Sequence, residues 1–397
     1  MMSGRYAAAR TSWAVSCLLL QLVALAGAQS YGRLSNSSTD ENLRGISVVS
    51  RDIAWASGTH GTYLITTNAG GSWSPGHVPG GERIDFRAVA GFSAEEAFLM
   101  SSGPGDLSRI YHTADGGQHW QLQFSNTNPK GFFDSMVFWD RTHGIVLGDA
   151  IADGTGQLKF EILVTDDGQN WHAIAPAQMP PALEGEGAFA ASNTCLAIVP
   201  KEAAKSTGTG ENSDGNVWFA TGGTAARVFH SGDRGRSWEV FNTPVTRGAA
   251  SMGIFSIAFR DAQHGVIAGG DYKHPKDDGP DLAFTDDGGK TWTLSDIHPQ
   301  AYFSAVAYDR RVNEFERRQA AEQARAEGEG KKIRIKPAPS QRLFVVGPDF
   351  VFDFRPPANP RRIGASKKFH AKFNAVAALP DGGALVVGPQ GTIAFIR

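Results

Sequence analysis

Seven short apolar runs end in glycine along the chain: IAWASG at Gly58, EAFLMSSG at Gly103, GIVLG at Gly148, VWFATG at Gly222, GVIAG at Gly269, LFVVG at Gly347 and ALVVG at Gly388. Runs of this length bounded by turn residues predict β-strands. Four of the intervals are 45, 45, 47 and 41 residues; the other two, 74 and 78, contain polar insertions at 201–215 and 309–340. Ahead of each run comes a fragment with period-two alternation and a small residue in register, at Gly45, Ala88, Ser135, Ala190, Ser256, Ala305 and Ala375. A small side chain at one place seven times over suits strands crowded around a common axis.

After the glycine-ended run a third pattern appears, Ser/Thr-x-Asp-x-Gly-x-x-Trp. Thr113 to Trp120, Ser231 to Trp238 and Thr285 to Trp292 fit it; Thr66 to Trp73 fits with Asn68 for Asp, and Thr165 to Trp171 is one residue short. The short acid or amide accepts hydrogen bonds from turn amides. Glycine supplies a backbone conformation that other residues resist. The Trp buries its ring where the next strand starts. The box is thus a hairpin-making device. A structural role is expected for Asn68, Asp115, Asp167, Asp233 and Asp287, and for Trp73, Trp120, Trp171, Trp238 and Trp292. Four strands in about 45 residues make a propeller blade. Seven units predict an all-β, seven-bladed β-propeller of four-stranded blades. The last unit, residues 373–397, supplies only three strands. SYGRL, residues 30–34, is expected to add the fourth and close the ring, removing an exposed edge.

Composition adds little to this and removes some functions. The 47 Gly and 20 Pro suit a chain with many turns, and a net charge of -2 gives no electrostatic case for nucleic acid. Residues 1–28 read as a signal peptide: Arg5 and Arg10, then WAVSCLLLQLVALAG, then Ala26-Gly27-Ala28. An uncleaved anchor is the alternative. Export to the periplasm or the medium follows, with residues 29–397 as a single domain, expected to be monomeric and compatible with peripheral membrane association. Cys195 is the one cysteine left, so no internal disulfide is expected. Its context, NTCLAIV, is that of a small buried hydrophobe.

In such a blade the first and third turns lie on one face, with the boxes. The second turns and the links between blades lie on the other. On that second face Arg44, Arg87, Asp134, Ser304 and Asn374 stand at the starts of innermost strands, beside the central channel. Asp149 and Asp153 belong to GDAIADGTG, read as the third blade's loop. Asp271, Tyr272, Lys273, His274, Asp277, Asp278 and Asp281 belong to GDYKHPKDDGPD in the fifth. This polar ring is the binding-site candidate; the alternative is a solvated rim of local ion pairs. His143 and His264 share Asp-x-x-His-Gly and read as turn residues. The acid spacing matches no established calcium loop, and H-E-x-x-H, paired Cys and G-x-S-x-G patterns are missing, so neither metal nor cofactor is expected. The insertion at 309–340 has high helix propensity without an apolar stripe, which suits a solvated helix or a docking arm.

The boxes and blade pattern resemble the BNR/Asp-box propellers, and among them the bacterial relatives of the photosystem II stability/assembly factor. NLRGISVVSRDIAWASGTHGTYLITTNAGGSW and the recurring TxDGGxxW carry the likeness, which covers residues 30–397; the sixth unit, GPDFVFDFRPPANPRR, departs from it by lacking a box. The resemblance implies a protein that assists assembly of membrane pigment–protein complexes, although nothing in the chain marks a photosynthetic host. It implies a non-catalytic scaffold for a protein or glycan partner. Sialidases also carry such boxes, and a sialidase-like or other glycoside hydrolase using Asp149 or Asp271 is the alternative. Against it, the Arg-Ile-Pro phrase is missing around Arg87, and no Glu partners Tyr302 or Tyr308.

Overall fold

The computed structural model of the chain describes residues 32–174, 179–199, 215–296, 301–311, 342–348, 350–355, 358–363 and 372–397, with isolated positions between 319 and 328. The glycine-ended runs and six of the seven small-residue fragments become strands of seven antiparallel sheets, and the boxes become the turns between third and fourth strands. From the inside outward, blade 1 is Leu43–Val48, Ala54–Gly58, Thr62–Thr66 and Ser74–His77. Blade 2 is Phe86–Gly91, Ala97–Ser101, Arg109–Thr113 and Gln121–Ser125. Blade 3 is Phe133–Phe138, Gly144–Ala152, Leu158–Thr165 and His172–Ile174. Blade 4 is Leu196–Ile198, Val217–Ala220, Arg227–Ser231 and Glu239–Asn242. Blade 5 is Ala249–Phe259, Gly265–Asp271, Leu282–Thr285 and Thr293–Leu294, extended by the short strands Gly222–Gly223 and Glu186–Gly187. Blade 6 is Ala305–Tyr308, Leu343–Gly347, Phe350–Arg355 and Ala358–Ile363.

Blade 7 is made from both ends of the chain. Ala375–Ala378, Ala384–Val387 and Ile393–Ile396 are followed outward by Gly32–Ser35, paired antiparallel from Gly32 with Ile396 to Ser35 with Ile393. Each innermost strand packs against the next, and that of blade 7 against that of blade 1, so the array is a closed ring. The leader, Ser30 and Tyr31 lie outside the described residues.

Seven hydrophobic clusters fill the seven interfaces between neighbouring blades. The boxes supply a Trp to five of them: Trp73 packs toward blade 7, Trp120 toward blade 1, Trp171 toward blade 2, Trp238 toward blade 3 and Trp292 toward blade 4. Each outermost strand begins one residue after its Trp, at Ser74, Gln121, His172, Glu239 and Thr293. In each box the acid or amide accepts from the Ser or Thr hydroxyl and from an amide later in the turn; for Asp287 these are Thr285 Oγ1 at 2.8 Å and the Thr291 amide at 2.9 Å. Box carbonyls also accept bonds from the preceding blade. Tyr63 Oη donates to the Gly117 carbonyl at 2.8 Å and Trp218 Nε1 to that of Gly288 at 2.8 Å. Gly117 has φ +87°, and a Cβ there would meet Tyr63 Oη at 2.5 Å, so both the turn and the close approach require glycine. Blade 6 has no box; Phe303 and Phe350 meet edge to face at 5.9 Å in the interface between blades 5 and 6.

Blade 4 differs from the sequence expectation. FAASN, with Ala190 in the small-residue position, is not its inner strand. That strand is Leu196–Ile198, and the seventh small axial residue is Cys195, which is fully buried and whose carbonyl accepts from the Ala220 amide at 2.8 Å. Both fragments hold a small residue before an apolar one, and the short true strand is cut off by the insertion at 201–215, most of which lies outside the described residues.

Removing a box acid removes several hydrogen bonds at once. Asp233 accepts from Ser231 Oγ, the Arg236 amide, the Ser237 amide and Ser237 Oγ, at 2.6–3.0 Å. Burial alone would raise its pKa, but these bonds hold it below the ordinary value. Asp233→Ala is expected to cost about 1 kcal/mol in urea unfolding at pH 7, where the partners remain solvated. The deficit should shrink below about pH 4, as the parent's carboxylate is itself protonated.

Candidate functional site

A repeated irregularity places the polar groups. In the inner strands of blades 1, 2, 3 and 5 the pairing register skips one residue, between Leu43 and Gly45, Phe86 and Ala88, Phe133 and Ser135, and Ile254 and Ser256. The skipped residues are Arg44, Arg87, Asp134 and Phe255. A β-bulge leaves one residue out of the ladder and re-aims its side chain. The same position, just ahead of the small axial residue, is held by Thr194, Ser304 and Asn374 in blades 4, 6 and 7. Another bulge, between Gly148 and Ala150, frees Asp149, which therefore stands within the second strand of blade 3 and not in its loop. Asp271 likewise closes the second strand of blade 5.

The segment 188–194, which contains the FAASN stretch expected as a strand, crosses the mouth of the channel as a plug. Arg87 donates to the Ala190 carbonyl at 2.9 Å, and Asp149 accepts from the Ala188 amide at 3.2 Å. Ser135 Oγ and the Met136 amide donate to Asn193 Oδ1 at 3.0 and 2.8 Å. The Ile257 amide donates to the Thr194 carbonyl at 2.7 Å, and Ser192 Oγ to the Ser304 carbonyl at 3.0 Å. Blades 2, 3, 5 and 6 are thereby tied to one short segment. Its root is anchored by a buried, bidentate pair between Arg227 and Glu186, with Thr221 Oγ1 also donating to Glu186 at 2.6 Å.

The predicted site residues fall into three groups. Ser304 and Asn374 are committed to the frame: Ser304 Oγ donates to the Val346 and Phe373 carbonyls, and Asn374 Nδ2 to Asn42 Oδ1 and the Leu43 carbonyl. Around blades 1–3 the charged groups gather. Arg87 Nε donates to Asp85 Oδ2 at 2.9 Å, and Arg44 Nε stands 3.7 Å from Asp85 Oδ1. Asp134 is 1% exposed and its Oδ2 has no hydrogen-bond partner. Burial first, and the neighbouring Asp149 second, raise its pKa well above the ordinary carboxylate range against the pull of Arg87. Burial raises Asp149 as well, opposed by the Ala188 amide.

The third group is on blade 5. Asp271 is buried and accepts from His274 Nδ1 at 2.6 Å and the Lys273 amide at 2.9 Å. The hydrogen bond to Asp271 raises the His274 pKa. Beside them Tyr272 is about half exposed, and its ring neighbours Phe189 of the plug and Phe255, which also meets Tyr302 at 5.7 Å. This aromatic step was missed at the sequence level for Phe189 and Phe255. Its one signal was the residue preceding Ser256 in the small-residue register.

The fold and the mouth define the class: a closed seven-bladed β-propeller whose channel is plugged at one face by its own chain. No family model and no curated protein matches the sequence. Among solved structures, YCF48 bound to D1 peptide is similar over 93% of this chain and 96% of its own, at 14% identity and a TM-score of 0.59. YCF48 from Cyanidioschyzon merolae is similar over 92% and 98%, at 15% identity and a TM-score of 0.54. Virginiamycin B lyase from Staphylococcus aureus covers 92% and 99%, at 11% identity and a TM-score of 0.55. The structural likenesses therefore include the group that the boxes resemble, and at these identities they speak for the fold.

The buried acid gives a signed pH dependence. A native carboxyl with a raised pKa keeps its proton while the unfolded chain loses it, so stability falls as pH rises above about 4 until the native group ionises too. Asp134→Asn is expected to raise the melting temperature by a few degrees at pH 7 and to leave it unchanged at pH 3.5, measured by circular dichroism. An equal shift at both values would refute the titration argument.

Proposed function

We propose that the protein is an exported, non-catalytic propeller, acting as a monomer, that holds a protein partner on the face of the channel mouth during assembly or binding. The observation that carries this is the mouth itself. Four bulges and a plug build a fixed, mixed polar and aromatic surface there, with Tyr272, Lys273 and His274 presented at its edge. Half-exposed aromatic rings seated on a buried aromatic cluster suit docking, since they add contact area with little entropy to lose. The likeness to YCF48, whose solved structure holds a D1 peptide, supports a protein segment over a glycan as the ligand. The apolar leader and its Ala-Gly-Ala end support export.

Glycoside hydrolysis is the less favoured reading, for a geometric reason. Cleavage needs two carboxyl groups flanking one bond. Asp149 is engaged with the plug beside Asp134, whereas Asp271 is held by His274 and Lys273 on blade 5. The carboxyl that does neighbour Asp149, Asp134, is 1% exposed and shut away from a substrate.

The test uses the mature protein to capture its partner from the native envelope fraction, with the partner identified by mass and its affinity then measured. Replacing Tyr272 and His274 together by Ala is expected to weaken binding at least about tenfold, the loss typical of two interface contacts. Unchanged affinity would reject the mouth as the docking surface, and turnover of any glycoside that is lost in Asp271→Asn would reject the non-catalytic reading.

A further inference from the structure

Two guanidinium groups share one carboxylate at the mouth of blades 1 and 2. Asp85 gives its Oδ2 to Arg87 at 2.9 Å. Its Oδ1 accepts no hydrogen bond, and Arg44 Nε is 3.7 Å away, beyond hydrogen-bond reach. Arg87 spends a second nitrogen on the Ala190 carbonyl. Arg44 has no such use: it makes no hydrogen bond among the described residues, and its Nε is buried without a partner. Yet its side chain is only 24% exposed. A largely buried guanidinium whose Nε meets no acceptor forgoes a hydrogen bond that buried polar groups ordinarily make. Burial depresses the Arg44 pKa, and Arg87 repels it, more than Asp85 restores.

The bulge explains why this strain is built in. Arg44 and Arg87 occupy the same skipped position in adjacent blades, so neighbouring inner strands bring two forks side by side at the mouth. Among the described residues the acid paired with both is Asp85; Asp149 is turned to the plug amide, and Asp134, which feels Arg87, lies fully buried beside it. A guanidinium fork with unused donors matches a carboxylate in plane and in charge.

Resting on the proposed docking function, we propose that Arg44, assisted by Arg87, is an oxyanion site that receives a carboxylate of the docked ligand. An incoming carboxylate supplies the acceptors that Arg44 lacks and neutralises the second guanidinium that Asp85 serves only in part. Phosphate shares the chemistry, and a free small anion and a chain terminus are two sources of it.

The experiment follows the Arg Nε–H signals of the mature protein by nitrogen-15 NMR during titration with inorganic phosphate, with acetate, and with N-acetyl-dialanine as the free acid and as the amide. The Arg44 signal is expected to move with the acid forms and not with the amide. Response to phosphate and acetate alone assigns a free-anion site; a stronger response to the dipeptide acid assigns a chain terminus. Arg44→Gln should abolish ligand-dependent changes at Arg87 or weaken them at least tenfold. It should melt no lower than the parent, because Arg44 makes no hydrogen bond among the described residues for the substitution to remove. No movement of Arg44 with any acid form, or an undiminished response in Arg44→Gln, overturns the site. Retained partner capture with a silent Arg44 removes this inference alone; loss of docking through Tyr272 and His274 is read separately.

Discussion

The outermost strand of the last blade comes from the start of the chain, and the ring depends on it. Without Gly32–Ser35 the strand Ile393–Ile396 would present an open edge, and blade 7 would meet blade 1 across an incomplete wall. The joint is locked from both sides: Ser35 Oγ donates to the Gly70 carbonyl of the blade 1 box at 2.6 Å, and Asn374 of blade 7 donates to Leu43 of blade 1. Closure fixes seven inner strands around one narrow axis. That geometry forces small residues at Gly45, Ala88, Ser135, Cys195, Ser256, Ala305 and Ala375, and leaves little room at the centre.

The mouth is a consequence of that crowding. Just above the small residues the inner strands of four blades give up one rung of the ladder each, and the freed residues are Arg44, Arg87, Asp134 and Phe255. Blade 4 contributes backbone instead. Its short inner strand lets the preceding segment run across the axis, where it satisfies groups from four blades. The polar ring is thus half frame and half surface. Ser304, Asn374, Asp149 and much of Arg87 hold the structure together, whereas Arg44 makes no hydrogen bond among the described residues and Tyr272 and His274 are exposed.

The fold was legible because it is repeated. One Asp-Gly-x-x-Trp phrase is a turn; five at blade spacing can only be hairpins stacked in register, and the hydrogen bonds of Asp233 and Asp287 are the ones their residue types imply. The small residues were legible for the same reason, with one exception. FAASN imitated the register in blade 4, because a four-residue pattern of small and apolar residues carries too little information to outweigh a neighbour such as TCLAI. The site was legible by residue and not by arrangement. The shared position of Arg44, Arg87 and Asp134 at the starts of inner strands was legible, but period-two reading runs straight through a bulge, so the bulge itself, the place of Phe255 beside them and that of Asp149 within a strand were hidden. That Ser304 and Asn374 are bound to carbonyls of the frame is a long-range fact that no local pattern carries.

The central claim, a ring closed by the two chain ends, is tested most directly by hydrogen exchange with mass-spectrometric detection on the mature protein at neutral pH. The account predicts that amides in Gly32–Ser35 are protected roughly 100-fold or more over an unstructured peptide, and that they exchange together with those of Ile393–Ile396. Exchange of Gly32–Ser35 at the unstructured rate, with Ile393–Ile396 still protected by Ala384–Val387, would contradict it, for the ring would then be open at blade 7.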